Sequence, residues 1–128
     1  MNITEFDKIK YDVQGTGINS KATVDITYKN KETKEVSYVI KAGTPVRIWF
    51  SPKKYSQYMF IQTNDRVMIS RIDNKAGKFT GINKMPSMKT LEKWSFDGLS
   101  KSVTGKLVEP DGYGPDGSPS WLLVVGVI

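Results

Sequence analysis

Lys21-Ala22-Thr23-Val24-Asp25-Ile26-Thr27-Tyr28-Lys29 alternates without a break, with Ala22, Val24, Ile26 and Tyr28 on one side and Lys21, Thr23, Asp25, Thr27 and Lys29 on the other. A period of two with one apolar side is the signature of a strand that lies on a core and keeps its other face wet. Asn30 to Lys34 is a polar turn, and Val36, Tyr38 and Ile40 repeat the alternation, so the two runs predict an antiparallel hairpin. Ala42-Gly43-Thr44-Pro45 then breaks the chain before a third strand. There Val46, Ile48 and Phe50 form the inward set, which leaves Arg47 and Trp49 on the opposite face.

Outward from this region the β pattern continues. Tyr58 to Thr63 and Arg66 to Ile72 predict a strand pair joined at Asn64-Asp65, after a loop over residues 51–57. Asn74-Lys75-Ala76-Gly77 is read as a turn ahead of a short strand near Phe79. One helix of about two turns is expected, with Ser87 as N-cap, Met88, Leu91 and Trp94 on one face and Asp97-Gly98 as its end. Lys101 to Glu109 and Ser120 to Ile128 read as two further strands; the second is apolar on both faces and is expected to be central. Gly15-Thr16-Gly17-Ile18-Asn19-Ser20 is read as a turn, because the third glycine and the following helix of a dinucleotide fingerprint are missing. The expected fold is a mainly β single domain spanning 1–128: a small OB-like or related β-barrel or curved antiparallel sheet with one short helix, with a sandwich or roll as alternatives.

Composition narrows the function. Nineteen basic residues against thirteen acidic ones give +6, a field that attracts polyanions and also serves solubility. The chain has neither cysteine nor histidine, which excludes disulfides, thiol nucleophiles, serine–histidine triads and histidine-based metal sites. No cofactor and no enzymatic activity are expected. The loop from Glu109 to Pro119 places three carboxylates within eight residues but lacks EF-hand spacing, so no metal is assigned to it. The start, Met-Asn-Ile-Thr-Glu-Phe-Asp-Lys, has no basic head followed by an apolar run, and the longest apolar run, Trp121 to Val125, is too short to span a bilayer. A cytoplasmic protein without membrane contact is expected.

The densest functional signal runs from Val36 to Asn64, which holds Lys41, Arg47, Lys53 and Lys54, six of the fourteen aromatics and no acid. Cations bind phosphate oxygens and exposed rings stack on bases, so this mixture points to a single-stranded nucleic-acid groove. Tyr38 and Phe50 are assigned to the core; Arg47, Trp49 and the loop carrying Lys53, Lys54 and Tyr55 form the candidate surface, with Tyr58 as a second stacking ring. The competing assignment packs Trp49 beneath the helix with Trp94. A second acid-free span, Asn74 to Leu91, adds Lys75 and Lys78, and a fold that sets the two spans side by side would make one positive track. Lysine outnumbers arginine in both, which suits phosphate contacts without base readout and a steep dependence on salt.

Ser51-Pro52-Lys53-Lys54 resembles the tetrapeptide of histone tails that binds the minor groove of A·T-rich DNA, and also reads as an ordinary basic turn. Bacterial single-strand binding proteins end in an acidic tail; here the acids lie in the 109–119 loop and an apolar run follows, so tail-mediated recruitment is not implied. The leading expectation is non-sequence-specific binding of single-stranded DNA or RNA, of a kind that suits phage or mobile-element replication. The alternative is a structural or adaptor module, a virion component or an inhibitor of a host nucleic-acid enzyme, that meets a protein partner through loop 109–119. Homo-oligomerisation through an exposed strand edge is compatible with either.

Overall fold

The computed structural model describes residues 1–51 and 57–127. Its centre is a four-stranded antiparallel sheet in the order β1-β4-β5-β6, formed by β1 (Gln14–Lys21), β4 (Pro45–Phe50), β5 (Tyr58–Gln62) and β6 (Val67–Arg71). A separate ribbon pairs β2 (Ile26–Lys29) with β3 (Val36–Ile40), and a very short one pairs β7 (Ser100–Lys101) with β8 (Leu107–Val108). The helices are α1 (Ile3–Asp7), α2 (Ile72–Lys75), α3 (Met88–Asp97) and α4 (Trp121–Val124). The chain is mainly β with antiparallel sheets and several short helices; its described strands form three separate sheets and no closed barrel.

The alternation read in β4 decides how the sheet is covered. Val46, Ile48 and Phe50 enter the main core together with Met59 and Ile61 of β5. The β2–β3 ribbon lies over this inner face through Ile26 and Ile40, and Leu91 of α3 and Trp121, Leu122 and Val124 of α4 close it. On the outer face a second, smaller cluster gathers Phe6, Phe60 and Val67, with Ile3, Ile9, Val13 and Trp49 packed against it. The middle of the sheet is thus covered on both sides, which is why β5 reads Met59-Phe60-Ile61 as three consecutive buried residues.

Several elements differ from the sequence reading, each for a physical reason. Residues 15–20 are not a turn but most of β1: Gly15 takes φ +74° and the register with β4 shifts between Gln14 and Ile18, a bulge that lets a glycine-rich stretch still pair. The long alternation from Lys21 to Lys29 is split, because β1 ends at Lys21 and β2 begins at Ile26; Val24 lies in the bend and is 46% exposed. Asn74 to Gly77 continues helically through α2 and a 3₁₀ turn over Ala76–Lys78, and Phe79 makes only an isolated bridge to Ala22. Lys101 to Glu109 folds back on itself as the β7–β8 ribbon, its turn at Gly105 with φ +91°.

The last apolar run is a helix, not a central strand. The Ser120 hydroxyl accepts from Leu122 N–H as an N-cap, and Trp121 to Val124 are all buried. A short run of consecutive apolar residues has the same periodicity in a buried strand and a buried helix, so the pattern did not separate them. Past its end, Gln57 closes the open carbonyls: its N–H donates to Val124 O at 2.7 Å and its Nε2 to Val125 O at 3.4 Å. In α3 the cap at Ser87 and the stop at Gly98 (φ +71°) stand where expected, but the helix holds ten residues and Met88 is 57% exposed. Leu99 N–H reaches back to Trp94 O at 3.2 Å, the six-to-one bond of a Schellman stop.

Candidate nucleic-acid interface

Antiparallel register assembles the outer face in rows. Asn19 of β1, Arg47 of β4, Gln62 of β5 and Val67 of β6 stand side by side, and Trp49, Phe60 and Ile69 form the next row. Arg47 and Trp49 therefore share this face, two residues apart, as the alternation requires. The guanidinium carbon of Arg47 lies 4.9 Å from the centre of the Trp49 ring, within cation–π range. Gly17 makes this possible: a Cβ there would overlap Arg47 Nε and the six-membered ring of Trp49.

Trp49 is neither open nor packed with Trp94. It is half-buried, its Nε1 donates to Gln62 Oε1 at 3.0 Å, and Phe6 meets it edge-on at 5.5 Å. Phe6 also lies 5.3 Å from Phe60, so α1 occupies the middle of the outer face. Trp94 packs on the main core, across the sheet.

What stays open is a shallow groove beside the α1 cover. Asn19, Pro45, Val46, Arg47, Gln62, Thr63 and Asn64 line about 360 Å³ of it. It continues over the outer edge of β1 as about 510 Å³ lined by Asn19, Ser20, Lys21, Pro45, Val46 and Thr80. No acidic residue is among these lining groups, and Arg47 has no ion-pair partner among the described residues. Asp65, next in sequence to the groove residue Asn64, is already engaged. It accepts from Thr63 Oγ1 at 2.8 Å and Tyr38 Oη at 3.1 Å and pairs with Arg66, and these bonds, the Thr63 one foremost, hold its pKa below the ordinary carboxylate value.

The other expected site residues scatter. Tyr58 is 40% exposed at the start of β5, opposite Arg71, whose guanidinium lies 5.7 Å from its ring. Lys41 is exposed but paired with Asp25 at 3.5 Å. Lys75 lies 5.5 Å over the ring of Tyr28, whose hydroxyl meets Ser70 on the inner side of the sheet. Burial first, and then the charge of Lys78, push the Lys75 pKa down. Lys75 and Arg47 are thus separated by the sheet and do not share one track. Lys53, Lys54 and Tyr55 lie outside the described residues. Phe50 is fully buried as expected; Tyr38 is half-buried and packs against the main core, its ring under Arg66 at 4.1 Å. Asn19, Gln62 and Asn64 escaped the sequence reading because isolated amides in strands carry no pattern; only the register brings them to Arg47.

Loop 109–119 is tied to the body of the protein. Thr16 N–H donates to Gly117 O at 3.1 Å, and Asp116 accepts from Thr104 Oγ1 at 2.7 Å and from the hydroxyl and N–H of Ser118. Among the described residues no three acidic side chains converge as a metal site would need. Desolvation pulls the Asp116 pKa up, but the Ser118 and Thr104 hydrogen bonds together outweigh it and leave the carboxyl below its ordinary value. The folded state therefore binds this proton less tightly than the unfolded chain, and the resulting stability is present above the ordinary carboxylate pKa and lost as pH falls through the lowered one. Asp116→Asn is expected to cost about 1 kcal/mol at neutral pH, a value discounted for exposure, and to flatten the acid limb of a stability profile. Denaturant titrations from neutral pH to about pH 3 check this, and an unchanged acid limb in the variant refutes it.

No helix among the described residues is long and apolar enough to cross a membrane. No protein-family model matches the chain, and no curated protein or solved structure is significantly similar to it.

Proposed function

We propose that this chain binds single-stranded nucleic acid without reading its sequence, along the acid-free groove over β1, β4 and β5. One observation carries the reading: Arg47, without a carboxylate partner among the described residues, lies over the Trp49 ring and borders a groove of amides and hydroxyls. A guanidinium held by an indole is already ordered, so it loses little freedom on meeting a phosphate or the face of a base. Trp49 then acts by holding Arg47 rather than by stacking directly. Lys21 supplies a second cation farther along the groove, and Asn19, Gln62 and Asn64 offer donors and acceptors that any base or sugar can use. The curved-sheet form of the expected fold suffices for this mode, since the ligand face is one sheet surface and needs no closed OB-like barrel. A cytoplasmic setting accompanies the proposal.

Fluorescence anisotropy of a labelled oligo-dT, at low and moderate salt, tests it. Affinity should fall steeply with salt and exceed that for a matched duplex. Arg47→Ala should weaken binding about tenfold or more and lower the salt slope by about 1, while Arg47→Lys should keep the slope and lose part of the affinity. Absence of binding at low salt, or an Arg47→Ala affinity equal to that of the unaltered protein, rejects the proposal.

A further inference from the structure

The outer side of the β7–β8 ribbon is apolar where nothing covers it. Ser100, Ser102 and Val108 point inward and are buried, so Leu99, Lys101, Leu107 and Glu109 point outward. Leu99 is 50% exposed and Leu107 71%. Phe96, on the last turn of α3 leading into the ribbon, is 92% exposed. Lys101 stands opposite Leu107 in the register, and continuing that register one step past Ser100↔Val108 sets Leu99 opposite Glu109. The four side chains form a square with the leucines on one diagonal and the opposite charges on the other. Neither Lys101 nor Glu109 has an ion-pair partner among the described residues.

That square is complementary to itself. A two-fold axis lying along the leucine diagonal turns one face onto another so that Leu99 meets Leu99 and Leu107 meets Leu107, while Lys101 of each copy meets Glu109 of the other. We propose that a second copy of this chain docks here, as an isologous pair with the leucines at its centre, two reciprocal Lys101–Glu109 contacts at its rim and Phe96 along its flank. The charge arrangement favours a copy over an unrelated partner: the patch carries one charge of each sign, which gives no preference to a uniformly acidic or basic surface but satisfies both groups at once in a symmetric pair. Pairing occurs through the ribbon face, not through the exposed strand edge considered from the sequence. The patch is small, so the pair is a weak, concentration-dependent one.

Sedimentation equilibrium of the full chain over concentrations up to about 1 mM reads it out. The mass should rise from 14.4 kDa toward twice that value. Leu107→Asp should abolish the rise. Lys101→Glu and Glu109→Lys alone should each weaken pairing about tenfold, and the two together should restore it, because the exchanged charges meet across the axis. All these side chains are exposed, so circular dichroism should show each variant folded. A monomer at every concentration, a dimer indifferent to Leu107→Asp, or a double exchange that fails to restore pairing overturns the proposal. Line broadening at Phe96 and Leu107 only on adding oligo-dT would do so as well, since it would assign the patch to nucleic acid.

Discussion

Trp121→Ala is expected to remove about 3–5 kcal/mol of stability, a large share of the roughly 5–15 kcal/mol that holds a domain of this kind together. Trp121 is 1% exposed and opens α4, a four-residue helix that no intrinsic propensity could sustain. The helix exists because its indole and the side chains of Leu122 and Val124 fill the space beneath β4, β5 and α3. Truncation leaves a cavity within the main core, whose close-packed side chains can relax into it only in part. In urea unfolding the midpoint should drop by about 2 M at an unchanged slope. A drop below about 0.5 M would mean that the indole is not a core side chain and that α4 is wrongly placed.

Gly15→Ala is expected to cost about 2–4 kcal/mol, by joining two penalties. Gly15 holds φ +74°, which an L side chain resists, and its Cβ would overlap the carbonyl oxygen of Gly117, the acceptor for Thr16 N–H. The obstacle is main chain, so it cannot swing away as a side chain would. Gly43 separates the penalties: it holds φ +85° but a Cβ there meets nothing within 4 Å. Gly43→Ala should therefore cost only the conformational part, about 1 kcal/mol, and the difference between the variants measures the docking of the 109–119 loop on the β1 bulge. Amide exchange should locate the damage, with protection lost at Thr16, Gly114, Gly117 and Ser118 in Gly15→Ala and kept in Gly43→Ala. Equal losses in the two variants would refute the docking.

Which parts were legible in the sequence follows from what periodicity can carry. The two sides of β4 were readable because Val46, Ile48 and Phe50 alternate with Arg47 and Trp49, and α3 was readable because Ser87 and Gly98 bracket it. The alternation from Lys21 to Lys29 continued through a bend, since an exposed valine at 24 satisfies the pattern as well as a buried one. Trp121 to Val125 carried no period to read. The partners of Trp49 were hidden for a different reason. Phe6 lies in a short polar segment with no strong pattern, and Gln62 comes from another strand; sequence gave the face of Trp49 but not what lies on it. The same holds for the proposed interface: charge and alternation offered Arg47 as a candidate, whereas Asn19 and Asn64 come to line the same groove only through pairing between distant strands.

Under the proposed binding mode, the seating of Phe6 on Trp49 and Phe60 would set the length of the footprint. With α1 lying over the middle of the outer face, the open groove spans three strands spaced about 4.8 Å apart, a width of about 10 Å. In the proposed mode, a strand of nucleic acid crossing it would be gripped over a few nucleotides and then leave the surface. Lengthening the oligonucleotide beyond that should add little to the affinity of one molecule. It should instead add room for neighbours, so that occupancy on a long strand grows by the number of molecules seated along it.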